Sequence, residues 1–140
     1  MLETRDFPGA GDPARLLPPR SAESAPFWEA LAQGRLVVQA CEACGRARQP
    51  IAPVCPYCAA TAFAWRELSG AGFVHSWVRY HRSYLPEFEP LIPYVVLSVE
   101  LDAGPRMFGR LARGEPAMGA RVQAVVERFG GGGCAVAFDG

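Results

Sequence analysis

Apolar residues recur at helical spacing in one stretch of this chain and alternate with polar residues over much of the rest. The stretch from Ser24 to Gly34 places Phe27 and Leu31 one turn apart, with Trp28 beside them. Ser24 is a residue type that caps a helix start, Pro26 fits the first turn and Gly34 fits the stop. The pattern predicts a short helix, which at that length needs a surface to pack on. Residues 36–39, Leu-Val-Val-Gln, predict a short strand. After Trp65 the pattern becomes β throughout, with strands predicted over 72–81, Tyr94 to Leu101, Arg106 to Leu111, Arg121 to Phe129 and Cys134 to Phe138.

Turn chemistry separates these strands. Asp102-Ala103-Gly104-Pro105 closes a hairpin, Gly114 to Gly119 connects the third and fourth strands, and Gly130 to Gly133 forms a flexible loop. Five short strands punctuated in this way predict a small closed barrel of the OB type. The expected fold class is therefore mainly β: an N-terminal helix and a four-cysteine ribbon, then a five-stranded OB-fold barrel. Residues 1–23 carry Pro, Gly, Ala and Arg without an apolar period and read as an extended or disordered arm. The expected division is this arm, helix plus ribbon over 24–64, and barrel over 65–140.

Within the first barrel strand, alternation assigns Val74, Ser76, Val78 and Tyr80 to the core face. Phe73, His75, Trp77, Arg79 and His81 share the other face, which is aromatic and cationic together. Such a face stacks a base and pairs with phosphates, docks a protein, or packs beneath the ribbon or helix. The loop from Ser83 to Pro93 carries Tyr84, Leu85, Phe88, Leu91 and Ile92, an apolar load for a solvated loop. Two outcomes fit it: folding back as a cap on the barrel, or contact with a partner or an acyl chain.

The chemistry-bearing motif is the pair Cys41-Glu42-Ala43-Cys44 and Cys55-Pro56-Tyr57-Cys58. Two C-x-x-C turns present four thiolates, the ligand set and spacing of a closed tetrahedral zinc site. Iron suits the same ligands. A redox pair needs only one such turn in a βαβ setting, and two disulfides are the remaining alternative. Gly45 suits the tight first knuckle and Pro56 stiffens the second. Four thiolates leave no open position for substrate, so the ion is expected to fold the ribbon, not to react. Arg46 and Arg48 either offset the site's negative charge or lie solvated at the surface. Cys134, the odd cysteine, sits in a predicted strand and reads as a small core residue. His75 and His81 have no nucleophile or orienting acid spaced near them in sequence, which argues against catalysis.

Charge narrows the partners. Fourteen basic residues balance fourteen acidic ones, without the excess that phosphate neutralisation demands of a nucleic-acid binder. No apolar run approaches membrane-spanning length, and Met1 to Asp6 is not followed by the apolar segment of a secretory leader. A reducing cytoplasm is the expected compartment, where paired cysteines mean metal.

Read together, these residues resemble a known family. The run Ala25-Pro26-Phe27-Trp28-Glu29-Ala30-Leu31, then Gly34-Arg35-Leu36 and Cys41 to Gly45, is similar to the start of the DUF35 proteins, zinc-ribbon and OB-fold accessory proteins associated with acyl-CoA enzymes. Cys55 to Cys58, Trp65, Ser69 to Gly72, Pro93 to Val96, Val99 to Arg106 and Gly119 to Val122 extend the resemblance over about residues 16–138. The resemblance implies a non-catalytic subunit that bridges a thiolase-fold enzyme (thiolase, aldolase or ketoacyl synthase) or a hydratase and helps hold acyl-CoA. It implies that Phe27 and Trp28 line an apolar groove between ribbon and barrel. Trp77 and His81, on the aromatic and cationic face, join Phe27 and Trp28 as candidate contacts for acyl-CoA or a partner. Arg79, Arg82, Arg106 and Arg110 are candidate contacts for CoA phosphates by their chemistry alone. The alternative is a single-stranded nucleic-acid module, since ribbons and OB barrels also serve that use.

Overall fold

The computed structural model describes residues 1–13 and 17–140; residues 14–16 of the expected arm lie outside the described residues. Helix α1 spans Ala25–Ala32, and the strands are β1 (Thr4–Asp6), β2 (Leu36–Cys41), β3 (Ala47–Arg48), β4 (Phe63–Leu68), β5 (Ala71–Tyr80), β6 (Tyr94–Leu101), β7 (Arg106–Arg113), β8 (Arg121–Arg128) and β9 (Cys134–Asp139). The helix starts at Pro26's first turn as expected, but Ser24 makes no side-chain cap. Its hydroxyl is engaged instead by the backbone N–H of Ser21 at 2.8 Å. The helix ends where Gly34 takes a φ of +78°. The N–H groups of Gly34 and Arg35 then bond back to the carbonyls of Leu31 and Ala30 at 2.9 Å each, a Schellman closure.

Two sheets follow. β3, β2 and β4 form a small antiparallel ribbon sheet with β2 at its centre. β2 is buried along its whole length, flanked by β3 and β4, with Leu36 in the core shared with helix and barrel. The barrel closes as β5-β6-β7-β9-β8 and back to β5, with β7 and β9 parallel and every other pair antiparallel. This is the five-stranded order of an OB barrel. Each of the five strands expected from sequence is present.

Two features depart from the sequence pattern. The first lies in β5, which pairs with β8 only over Ala71 to Phe73. A bulge at His75 then shifts the register against β6. Before the bulge Val74 opposes Val99; after it Trp77 opposes Leu97, Arg79 opposes Val95 and Val78 opposes Val96. The face is exchanged, so the expected core set Val74, Ser76, Val78 and Tyr80 holds only at Val74. Val78 is 53% exposed and Tyr80 38%.

The second departure is in residues 1–13. β1 adds in parallel to β8 at Val126 to Arg128, the part of that strand which β5 leaves uncovered. Arg5 fixes it with a two-pronged pair to Asp139, at 2.9 and 2.6 Å. The apolar loop Ser83 to Pro93 folds back on the molecule with a 3-10 helix at Pro86–Leu91. Phe7 packs edge-on against Phe88 and Phe129, and the N–H of Ala10 bonds to the carbonyl of Glu87 at 3.0 Å. The cap reading of this loop is the one the structure takes.

One core joins the parts. Phe27 and Leu31 of the helix and Leu36 of the ribbon pack with Val74, Leu97, Val99, Met107, Val126 and Phe138 of the barrel. Cys134 belongs to this core, and burial raises its thiol pKa.

Candidate metal centre and interdomain groove

The metal centre is built by two matching turns. In the first, the N–H of Gly45 returns to the carbonyl of Cys41 at 2.9 Å; in the second, the N–H of Ala59 returns to the carbonyl of Cys55 at the same distance. Both closing residues take positive φ, +78° at Gly45 and +65° at Ala59. The four sulfurs lie within 4.8 Å of one another. Cys41 and Cys58 are 3.6 Å apart, and Cys44 and Cys55 are 3.7 Å apart. A tetrahedral ion with metal–sulfur bonds of about 2.3 Å requires sulfur–sulfur edges of about 3.8 Å. The cysteines therefore fit a single tetrahedral ion, and all five cysteines of the chain are free of disulfides.

The turns also polarise the thiols. The backbone N–H of Cys44 leads in drawing the Cys41 thiol down to about 6. Cys55 is lowered too: burial opposes ionisation there, but the N–H groups of Tyr57 and Cys58 outweigh it. Cys58 is pushed up to about 11; the Ala60 N–H favours its thiolate, yet the crowding of three further sulfurs and burial prevail. Four like charges cannot gather at this spacing without a cation among them, which is why a metal is the natural occupant.

The two arginines after the first knuckle take different places. Arg46 lies over the Tyr57 ring at 4.5 Å. Arg48 is 4% exposed and is not a solvated residue. Its Nε donates to Oε1 of Gln39 at 2.9 Å and its Nη2 to the carbonyl of Ala52 at 3.1 Å. The same Gln39 oxygen accepts the N–H of Ala52 at 2.9 Å. This buried link pins the loop between the knuckles to β2, and alternation within Leu-Val-Val-Gln carried no sign of it.

A groove of about 630 Å³ opens between helix, ribbon and barrel. Phe27 and Trp28 form one wall and Gln49 and Pro50 another. Its floor is the outer face of β6, β7 and β9, with Ser98, Phe108 and Val136. Phe27 and Trp28 meet edge to face with centroids 5.0 Å apart. Arg106 lines the groove as well and leads into an adjoining cleft with Arg48 and Tyr57.

Of the candidate contacts read from sequence, the structure thus gathers Phe27, Trp28 and Arg106. Trp77, Arg79, His81 and Arg82 lie on the C-terminal half of β5 and just beyond it, and none lines the groove. Arg79 faces Glu115 at 3.6 Å and Arg82 lies over the Tyr84 ring at 5.4 Å. Arg110, the other candidate for CoA phosphates, is paired with the buried Glu127 and does not line the groove. Phe108, 75% exposed, is the aromatic groove residue that sequence reasoning missed. Its signal was present: in Arg106-Met107-Phe108 the aromatic shares the arginine's outward face.

Comparison with known proteins agrees with this architecture. Residues 28–64 match the family model described as the ChsH2 rubredoxin-like zinc ribbon domain, and residues 65–127 match the ChsH2 C-terminal OB-fold domain. A solved structure, the Ltp2-ChsH2(DUF35) aldolase, superposes with a TM-score of 0.78 at 32% identity, covering 88% of this chain and 98% of that one. A DUF35-family protein from Sulfolobus solfataricus, 14% identical with a TM-score of 0.58 over 85% of each chain, shares the fold. A DUF35 domain-containing scaffold protein of Methanocaldococcus jannaschii is 33% identical over 93 residues, 64% of this chain and 65% of the relative. A probable enoyl-CoA hydratase alpha subunit of Thermomonospora curvata is 43% identical over 86 residues, 61% of this chain but 26% of the relative. The chain thus spans about a quarter of that hydratase subunit and just under two thirds of the scaffold protein.

Proposed function

The chain belongs to the DUF35 family, with the zinc ribbon and OB-fold domain of ChsH2, and from that premise we propose that it is a non-catalytic scaffold subunit of an acyl-CoA enzyme, holding the acyl thioester in its interdomain groove. The observation that carries the proposal is the groove itself. Its aromatic and aliphatic walls offer apolar contact to an acyl chain or pantetheine arm, and Arg106 in its lining offers a cation to an anionic group, which supports the reading. The relatives bearing the names scaffold protein, hydratase subunit and aldolase complex support the same reading. The partner is then a thiolase-fold enzyme or a hydratase, and the subunit works in the cytoplasm, where acyl-CoA is made and used.

The ion in the cysteine cage is zinc in this proposal, with a folding role. Four thiolates complete its shell, so it offers no site to substrate. The residues of this chain act by placement: Phe27, Trp28 and Phe108 exclude water from the chain they hold, and Arg106 orients the charged end.

Isothermal titration with octanoyl-CoA and with free CoA tests this, using the zinc-loaded chain alone and co-expressed with a thiolase-fold enzyme or hydratase encoded beside it. Octanoyl-CoA is expected to bind more tightly than CoA. Phe108→Ala is expected to weaken the acyl ligand about ten-fold, and Arg106→Ala to weaken both. The reading fails if neither preparation binds either ligand, or if the Phe108 and Arg106 variants bind as the parent does.

A further inference from the structure

Among the stretches of edge at the margins of the described sheets, three are blunted. β1 is three residues long and is followed by Pro8. β3 is two residues long. β4 carries Arg66 and Glu67, and Arg66 reaches across to the carbonyl of Gly45 at 3.1 Å. Short length, proline and charge are the usual means by which proteins stop edges from pairing.

A fourth stretch is different. Beyond the bulge, Ser76 to Tyr80 of β5 pairs with β6 on one side, and its other side has left β8. All five residues are exposed. Three of the five, Trp77, Val78 and Tyr80, are large and apolar, and Arg79 is the single charge. The neighbouring loop touches this stretch through the ion pair of Arg79 with Glu115. The composition suits a strand that expects a neighbour.

We propose that two copies of this chain associate through these edges, β5 against β5 in antiparallel register about a two-fold axis at Val78. The sequence of the edge is complementary to itself in that register. Val78 meets Val78 of the second copy on the axis, Trp77 meets Arg79, Arg79 meets Trp77, and Ser76 meets Tyr80. Residues directly opposite share a face, so each guanidinium comes beside the other copy's indole, two such pairs in one interface. No like charges oppose each other. The conditions are that β5 leaves β8 after Phe73 and that the bulge then sets Trp77 and Arg79, which share a face, opposite Leu97 and Val95 of β6. The contact is isologous and closes at two copies, so it does not propagate into fibres. Five paired residues make a small interface, and the association is correspondingly weak and concentration-dependent. This inference does not rest on what fills the groove.

Sedimentation equilibrium of the zinc-loaded chain from low-micromolar to near-millimolar concentration tests it. A reversible monomer–dimer equilibrium is expected. Val78→Lys, which sets two like charges on the axis, and Arg79→Glu are each expected to weaken it about ten-fold or more. Register is read by cross-linking with oxidised glutathione. Val78→Cys is expected to give a disulfide-linked dimer, since residues facing each other across an antiparallel pair are within disulfide reach; Ser76→Cys, which faces Tyr80, is not. The proposal is overturned if the chain stays monomeric across the range, if the dimer is indifferent to Val78→Lys, or if Ser76→Cys cross-links as readily as Val78→Cys. Val78 is an exposed position, and an unchanged circular dichroism spectrum distinguishes loss of pairing from loss of fold.

Discussion

The two knuckles repeat one backbone geometry with different residues at its tightest point. Gly45 holds φ +78° at no steric cost, whereas Ala59 holds +65° against its own Cβ. The left-handed region costs a residue with a Cβ about 1–2 kcal/mol, and glycine gives back about 0.5–1 kcal/mol through its freer unfolded state. Ala59→Gly is therefore expected to stabilise the chain by about 0.5–1 kcal/mol. Gly45→Ala is expected to destabilise it by a similar amount; no atom lies within 4 Å of the added Cβ, so backbone strain is its whole cost. Urea unfolding of the three proteins at saturating zinc measures both, and an Ala59→Gly variant weaker than the parent would remove the strain argument. The parallel was legible in the sequence as Cys44-Gly45 beside Cys58-Ala59. What was not legible was that alanine would accept the conformation, because the turn's own hydrogen bond and the ligand geometry hold it there.

Strands carry the next set of consequences. β7 and β8 flank β9, and Arg110 and Glu127 reach over it to meet, with side chains 12% and 5% exposed. Burial raises the Glu127 pKa although Arg110 opposes the shift. An acid whose folded pKa is raised binds more protons when folded, so this group's contribution to stability falls as pH rises from its ordinary value through its raised one. Arg110→Met leaves the carboxylate buried without its ion-pair partner, at an expected cost of about 3–5 kcal/mol at neutral pH. That cost shrinks in mildly acidic solution as Glu127 takes up a proton. Arg110→Met combined with Glu127→Leu is expected to recover most of the loss. Chemical denaturation of parent, single and double variants at two pH values checks this; a double variant as unstable as Arg110→Met alone contradicts it.

At this same scale the limits of pattern reading have specific causes. The five barrel strands were visible because glycine and proline turns bound each one. The face exchange in β5 was not, since Val74-Ser76-Val78-Tyr80 alternates without interruption. The bulge arises from long-range pairing, where β6 continues alongside while β8 ends. β1 escaped notice because three residues carry no period and its partner strand lies at the other end of the chain. The groove was half legible. The family resemblance pointed to Phe27 and Trp28, but that Arg79, Arg82 and Arg110 lie away from the groove depends on which side of the barrel each occupies, which long-range pairing decides.

Across the whole molecule, ribbon and barrel share a core, although the chain divides between them in sequence. Leu36 begins the ribbon's central strand and is fully buried with Phe27 and Leu31 against barrel residues such as Val126 and Phe138. Separate stability would require each part to keep an apolar interior after the other unfolds. Melting the ribbon instead exposes the end of the barrel that Phe27 and Leu31 cover, and lost apolar burial of about 25 cal/mol per Å² falls on both parts. Binding of the metal is part of the folding free energy of such a cage, so removing it acts on the shared core as well as on the cysteines. A strong chelator is therefore expected to lower the unfolding temperature of the entire chain in a single transition. Trp65 lies in the ribbon and Trp77 in the barrel's β5. Variants retaining one or the other, with the remaining tryptophans replaced by phenylalanine, report the two parts separately by fluorescence. Coincident melts with and without metal fit one cooperative unit. A metal-free chain in which the Trp65 signal is lost while Trp77 melts at its original temperature would mean that the barrel stands without the ribbon, and that the groove's wall opens independently of its floor.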